Sequence, residues 1–270
     1  MLSPKMKTLL KGYLSQDVSG KDITSELIPK TNCKAVIKVN ENCVLAGVEE
    51  ATYLFREHEL KVKVHKNDGT HANKKSKIIT IIGSAQKILT IERISLNILG
   101  RMSGVATICA EAKKKSKNTK LAVTRKTIPG FQAFDKKAAE IAGVWSHRKN
   151  LNEMILLKDN HLKFIGIKEG IAKAKKTGKK IEIEVENEKE ALEAAREKPN
   201  FIMLDNFSQK NAKKTIKKLR EKGFNGKIEL SGGITIKNLP KYSNLGADLI
   251  SMGELTKKAK IIDFSMDVIK

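Results

Sequence analysis

Residues 181–233 read IEIEVENEKEALEAAREKPNFIMLDNFSQKNAKKTIKKLREKGFNGKIELSGG. Three apolar runs, Ile181 to Val185, Phe201 to Leu204 and Ile228 to Leu230, are each too short for a helix and are bounded by turn residues, so they predict strands. Between the last two, Ala212, Ile216 and Leu219 make one apolar stripe while Lys213, Lys214, Lys217 and Lys218 fill the other faces. That pattern predicts an amphipathic helix over Ser208 to Gly223, with Ser208 as its cap. Strand and helix alternating in this rhythm predict a parallel α/β domain.

Working outward, Leu121 to Val123, Ile155 to Leu157 and Leu249 to Ser251 extend the series to six strands, all after Gly104. Nearly every one ends in, or carries near its end, a charged or phosphate-friendly group. Arg125 and Lys126 follow the first, Lys158 and Asp159 the second, Asp205 the fourth, Ser231, Gly232 and Gly233 the fifth, and Gly253 the sixth; Glu184 lies near the end of the third. In a barrel these positions converge on the carboxyl-end face, where such folds place their chemistry. An open doubly wound sheet would gather ligands at a switch point, and no GxGxxG fingerprint supports it.

Before Gly104 the pattern differs. Ala35, Ile37 and Val39 alternate with polar neighbours, as do Leu60, Val62 and Val64, and Ile78 to Ile82 forms another run, which together predict a small sheet-rich domain with one exposed face. A helix from about Ser84 to Met102, with Ile88, Leu89, Leu96 and Leu99 for a buried stripe, joins the two parts.

With 270 residues and 40% hydrophobic composition the chain buries a full core. Its net charge of +23 has two readings: a nucleic-acid platform or solvated lysine faces. Aromatics are only 4% of the chain, too few for a stacking platform, so the lysine-face reading is preferred and nucleic acid is not expected as a partner. The positive field still draws anionic substrates. Cys33, Cys43 and Cys109 stand at no metal-ligand spacing and their odd number suits no disulfide framework, which points to the cytoplasm. Lys5, Lys7 and Lys11 interrupt the N-terminal apolar face too often for a signal peptide, and no membrane-spanning segment is expected.

Arg125, Lys126, His147, Arg148 and Lys158 form a set of cations and donors whose repulsion asks for a multiply charged anion. Glu184 and Asp205 have the character of a magnesium site that uses one or two carboxylates plus substrate oxygens. The Ser231-Gly232-Gly233 turn, opening toward a helix near Thr235, offers amides for a phosphate. Each also has a plainer reading. Glu182, Glu184 and Glu186 alternate as the solvent face of a strand would, and His147 alone suits a hydrogen-bonded core histidine.

The runs Glu92-Arg93-Ile94-Ser95-Leu96-Asn97, Ser103-Gly104-Val105-Ala106-Thr107, Thr124-Arg125-Lys126-Thr127-Ile128-Pro129-Gly130, His147-Arg148 and Lys158-Asp159-Asn160-His161 resemble those of the quinolinate phosphoribosyltransferases. The likeness continues through Leu204-Asp205-Asn206-Phe207 and Ser231-Gly232-Gly233-Ile234 to Gly253-Glu254-Leu255-Thr256. This resemblance implies an incomplete TIM-like α/β barrel at residues 103–256, with an N-terminal α/β sandwich domain at 1–102 that the returning segment 257–270 joins. It implies a homodimer, at least, whose N-terminal domains cap each other's barrels, so that Arg93 reaches the partner's site. It further implies that Arg125, Lys126, His147, Arg148 and Lys158 hold quinolinate and nearby phosphates. Glu184 and Asp205 would serve the magnesium and ribose of phosphoribosyl pyrophosphate, and Ser231, Gly232 and Gly253 would line its phosphate end. Lys126, Lys158, Glu184 and Asp205 are the expected catalytic set. The implied reaction yields nicotinate mononucleotide, pyrophosphate and carbon dioxide, with Mg2+ the only cofactor.

Overall fold

Short runs of β-branched residues build a four-stranded and a six-stranded sheet, with a further two-stranded one of Cys43–Val44 and His71–Ala72, in the computed structural model, which describes residues 2–116 and 118–269. The chain divides into one compact unit of residues 1–110, 129–143 and 258–270 and a second of 111–128 and 144–257.

In the first unit an antiparallel sheet runs in the order Phe264–Ile269, Asn32–Val39, Lys77–Ser84, Lys61–Val64. The C-terminal strand pairs with Asn32–Val39 in the register Ile37 to Met266 and Val39 to Phe264. Ala35, Val36 and Ile37 are all buried, so this strand is covered on both faces where its sequence alternation suggests one wet face. Helix Val48–Glu57 lies against the strands Lys61–Val64 and Lys77–Ser84.

The connecting helix, Ala85–Ser116, is 32 residues long and does not stop near Met102 as its sequence suggests. Gly100 and Gly104 are contact points within it. A Cβ on Gly104 would sit 1.8 Å from the Lys260 carbonyl oxygen, and one on Gly100 2.7 Å from that of Ile262. Glycine there costs about 1 kcal/mol of helix propensity and lets the chain at 260–262 run against the helix. Arg101 fixes the same region: its Nε and Nη2 donate to Asp135 Oδ1 and Oδ2 at 2.9 and 2.8 Å, and Nη1 donates to the Ala259 carbonyl. Asp135 belongs to helix Gln132–Ile141 and is fully buried.

The second unit holds a six-stranded parallel sheet in the order Lys120–Val123, Leu249–Met252, Lys227–Ser231, Phe201–Asp205, Ile181–Val185, Ile155–Leu157. All six sequence-predicted strands are present. A seventh position is marked by a single parallel bridge between Ala122 and Trp145, on the free side of Lys120–Val123. Among the described residues nothing pairs Trp145 with Ile155–Leu157, so the barrel is incomplete between those two. Helix Gln209–Glu221 follows the predicted pattern: Ser208 caps it by accepting from the Asn211 amide, and Ala212, Thr215, Ile216 and Leu219 face inward.

Candidate active site

The parallel order puts the carboxyl ends of the six strands on one side of the second unit. On strand Ile181–Val185, Glu182 and Glu184 point to the same side two residues apart, and that side is the barrel interior: Glu182 is fully buried and Glu184 half-buried. The solvent-face reading of this alternation therefore fails. Only Glu186, beyond the strand end, is exposed.

Four charged groups from three strand ends act on Glu184. Burial raises its pKa most, the charge of Asp205 raises it further, Lys158 and Lys126 lower it, and Asp159 raises it again. Lys126, Lys158, Glu184 and Asp205, the expected catalytic set, thus share one electrostatic neighbourhood. The mutual repulsion of Glu184 and Asp205 is what a divalent cation relieves, and their hard oxygen donors suit magnesium. Glu184 and Asp159 also line a cavity of about 420 Å³ with Leu162, Gly166 and Ile167. A second cavity of about 390 Å³, lined by Arg196, Lys198 and Phe224 among others, contains none of the sequence-predicted residues.

Lys126 is held at the backbone on both sides. Its N–H donates to Thr124 Oγ1 at 3.1 Å, and its carbonyl accepts from Thr256 Oγ1 at 2.8 Å. Gly253 faces the same spot, since a Cβ there would lie 3.3 Å from Lys126 Cδ and 3.8 Å from Lys257 Cδ. Arg125 and Arg148 are close enough to repel: burial first, then the Arg125 charge, lowers the Arg148 pKa. Lys158 closes the strand Ile155–Leu157, and its amide donates to His161 Nδ1.

The glycine turn is tight. Gly232 has φ +85° and Gly233 φ +62°, and a Cβ on Gly232 would stand 2.5 Å from the Asn206 amide nitrogen. Asn206, itself at φ +57°, donates its amide to the Ser231 carbonyl and its Nδ2 to Asp205 Oδ2. The turn thereby positions Asp205. The expected helix near Thr235 is absent: the next helix is the four-residue Leu239–Tyr242, and the Thr235 and Ile236 amides are taken by Asn238 and Glu254 side chains. Among the described residues no hydrogen bond takes the Gly232, Gly233 or Ile234 amide, so a phosphate cradle at this turn would draw on those amides rather than on a helix N-terminus.

His147 is turned toward the barrel interior. It is 7% exposed, and its Nε2 is 3.2 Å from Glu229 Oε2 and 3.2 Å from Glu182 Oε2 inside the barrel. Its Nδ1 accepts the Arg148 amide at 2.8 Å. Both ring nitrogens are engaged within the barrel. Sequence reasoning missed Glu182 and Glu229 as its partners, although Glu229 occupies an otherwise apolar strand, a signal that was available. Arg93 stands exposed on helix Ala85–Ser116, in the first unit.

The chain matches the family described as quinolinate phosphoribosyl transferase, N-terminal domain, over residues 22–103, and the C-terminal domain of the same family over 105–267. A relative from Methanocaldococcus jannaschii, named probable nicotinate-nucleotide pyrophosphorylase (carboxylating), is 39% identical over 283 residues, covering 100% of this chain and 99% of its own. The rat nicotinate-nucleotide pyrophosphorylase (carboxylating) is 32% identical, covering 97% of this chain and 90% of its own. The solved structure of the nicotinate-nucleotide pyrophosphorylase from Francisella tularensis matches with a TM-score of 0.93 at 31% identity, covering 100% of this chain and 98% of that one.

Proposed function

The chain belongs to the quinolinate phosphoribosyltransferase family, and from this we infer that it converts quinolinate and phosphoribosyl pyrophosphate to nicotinate mononucleotide, pyrophosphate and carbon dioxide, a step of NAD biosynthesis. The observation that carries the site assignment is the shared neighbourhood of Lys126, Lys158, Glu184 and Asp205 at the strand ends.

In this reading Arg125, Arg148 and Lys158 neutralise the two carboxylates of quinolinate and orient its ring nitrogen toward the anomeric carbon. Lys126, Ser231, Gly232 and Gly253 hold the phosphate groups of the second substrate, and Glu184 and Asp205 face its ribose. Magnesium, held by Glu184 and Asp205 together with substrate oxygens, would supply charge neutralisation for the departing pyrophosphate. The fixed lysines stabilise charge that develops as the glycosidic bond forms, without a covalent enzyme intermediate. Once the nitrogen carries the ribose its positive charge stabilises the carbanion left by decarboxylation. Arg148 is placed to keep the pyridinium oriented through that step.

A homodimer in which Arg93 of each subunit serves the other's site follows from the family reading, and so does a cytoplasmic location, supported by three cysteines that form no disulfide. Among the described residues no helix is long and apolar enough to cross a membrane. The test is release of carbon dioxide from carboxyl-labelled quinolinate, dependent on phosphoribosyl pyrophosphate and magnesium. Glu184→Ala is expected to fold normally and lose most of that turnover; near-normal turnover would remove Glu184 from the site.

A further inference from the structure

Asn225-Gly226 is the one Asn-Gly pair in the sequence, and Asp68-Gly69 the one Asp-Gly pair. Both mark turns. Both also carry the parts of one reaction: a side-chain carbonyl carbon, Cγ, and a following amide nitrogen that reaches it by closing a five-membered ring. Glycine leaves that nitrogen unshielded, since it has no Cβ. The fold treats the two pairs differently.

Asp68 is locked. Its Oδ1 accepts from the Val48 amide at 2.9 Å and its Oδ2 from the Glu49 amide at 3.3 Å, while the Gly69 N–H donates to the Leu45 carbonyl at 2.8 Å. Electrophile and nucleophile are both committed, and ring closure there requires these bonds to break.

Asn225 is open. It lies between helix Gln209–Glu221 and strand Lys227–Ser231, at the amino ends of the strands and so on the face opposite the mouth. Its side chain is exposed, and among the described residues no hydrogen bond engages its amide group or the Gly226 N–H. Arg220 Nη1 donates to the Phe224 carbonyl at 2.6 Å and to the Gly226 carbonyl at 2.8 Å, which holds the turn but leaves the Gly226 nitrogen unused. Packing also demands glycine here, because a Cβ on residue 226 would overlap the Phe224 ring and stand 2.8 Å from the Pro199 carbonyl oxygen. The residue that makes the pair reactive is thus the residue the fold requires. Arg196, Lys198 and Lys222 line the same cavity of about 390 Å³ as Asn225. Their charges favour the anions of the reaction: the deprotonated Gly226 amide that attacks and the carboxylate that results.

We propose that Asn225 is a site of spontaneous covalent modification, converted through a cyclic imide to aspartate and isoaspartate. Hydroxide removes the Gly226 amide proton, the nitrogen attacks Asn225 Cγ, and the Cγ–Nδ2 bond breaks to release ammonia, whose third hydrogen comes from water. A second water opens the ring. Breaking the new Cγ–N bond gives aspartate, and breaking the original backbone C–N bond gives isoaspartate, in which the chain runs through the side chain. Either way one amide becomes one carboxylate, no group is oxidised or reduced, and the basic cavity acquires a negative charge. The inference is independent of the quinolinate reading.

The test is incubation of the whole protein at mildly alkaline pH, native and in guanidinium, followed by chromatography and mass spectrometry of the tryptic peptides 223–227 and 67–74. In the folded protein Asn225 is expected to convert less than about tenfold more slowly than in the unfolded chain, because no local opening is needed. Isoaspartate should exceed aspartate in the product. Asp68 is expected to yield isoaspartate only in the unfolded chain. Protection of Asn225 by more than about tenfold in the folded protein overturns the proposal, and so does aspartate formed without isoaspartate, the mark of direct hydrolysis. Isoaspartate at Asp68 in the folded protein would show that hydrogen bonding does not govern these two sites and would overturn it as well. Asn225→Gln, whose longer side chain closes a less favourable six-membered ring, should remove the acid form of peptide 223–227; persistence of that form in the variant counts against the ring-closure step and overturns the proposal.

Discussion

Charge buried in the first unit and charge at the barrel mouth of the second are handled in opposite ways. In the first, Arg101 meets Asp135 through two parallel hydrogen bonds and spends its third nitrogen on a carbonyl, while Lys137 sits between Glu49 and Glu50 at 2.6 and 2.7 Å. At the barrel mouth of the second, Arg125, Lys126 and Lys158 carry the same kind of charge and make no ion pair among the described residues. Folding closes the charges it buries for structural reasons, and the mouth keeps its cations open, at the cost of mutual repulsion, for an anion that arrives later. Substitutions of these closed pairs in the first unit should therefore be read in stability and those at the mouth in turnover.

The largest expected effect breaks the structural side. Arg101→Ala leaves Asp135 buried and unpaired and is expected to cost about 3–5 kcal/mol in urea unfolding; a loss under about 1 kcal/mol would place this pair with surface ion pairs. On the open side, Lys126→Ala should leave the urea midpoint unchanged while lowering kcat/KM roughly 100- to 1,000-fold, about 2.7–4 kcal/mol of transition-state stabilisation. A large stability change with little kinetic change would reverse the contrast between the units. Gly232→Ala sharpens the boundary between the two kinds of effect. Positive φ and the approach to Asn206 should cost about 1–3 kcal/mol in stability, and displacement of Asn206 from Asp205 should raise the KM for phosphoribosyl pyrophosphate. Smallest is the half-exposed surface pair of Lys218 and Glu188 at 2.5 Å, where Lys218→Ala is expected to cost about 0–1 kcal/mol and less in high salt.

Much of the barrel was legible because its strands are short apolar runs bounded by turns, and because strand ends in a parallel order must share a side. Ser208 to Gly223 was equally clear, since its stripe and cap agree. The strand at Trp145 was not, because a single bridge leaves no alternation to read. The helix was expected to end near Met102, whereas it runs on to Ser116, with Gly100 and Gly104 serving close contact with residues 260–262 in spite of their low helix propensity. Alternation showed that Glu182, Glu184 and Glu186 share a side but carried no information on whether that side was wet. Lys126, Lys158, Glu184 and Asp205 could be grouped from their places at strand ends. The inward turn of His147 could not, because it depends on glutamates 35 and 82 residues further along the chain.

The most direct measurement is product formation from quinolinate, phosphoribosyl pyrophosphate and magnesium, run beside the same reaction with nicotinate. Nicotinate mononucleotide and carbon dioxide from quinolinate, with no product from nicotinate, is the expected result. Product from nicotinate and none from quinolinate, by folded protein, would contradict the assignment of the open cations at the mouth to a dicarboxylate.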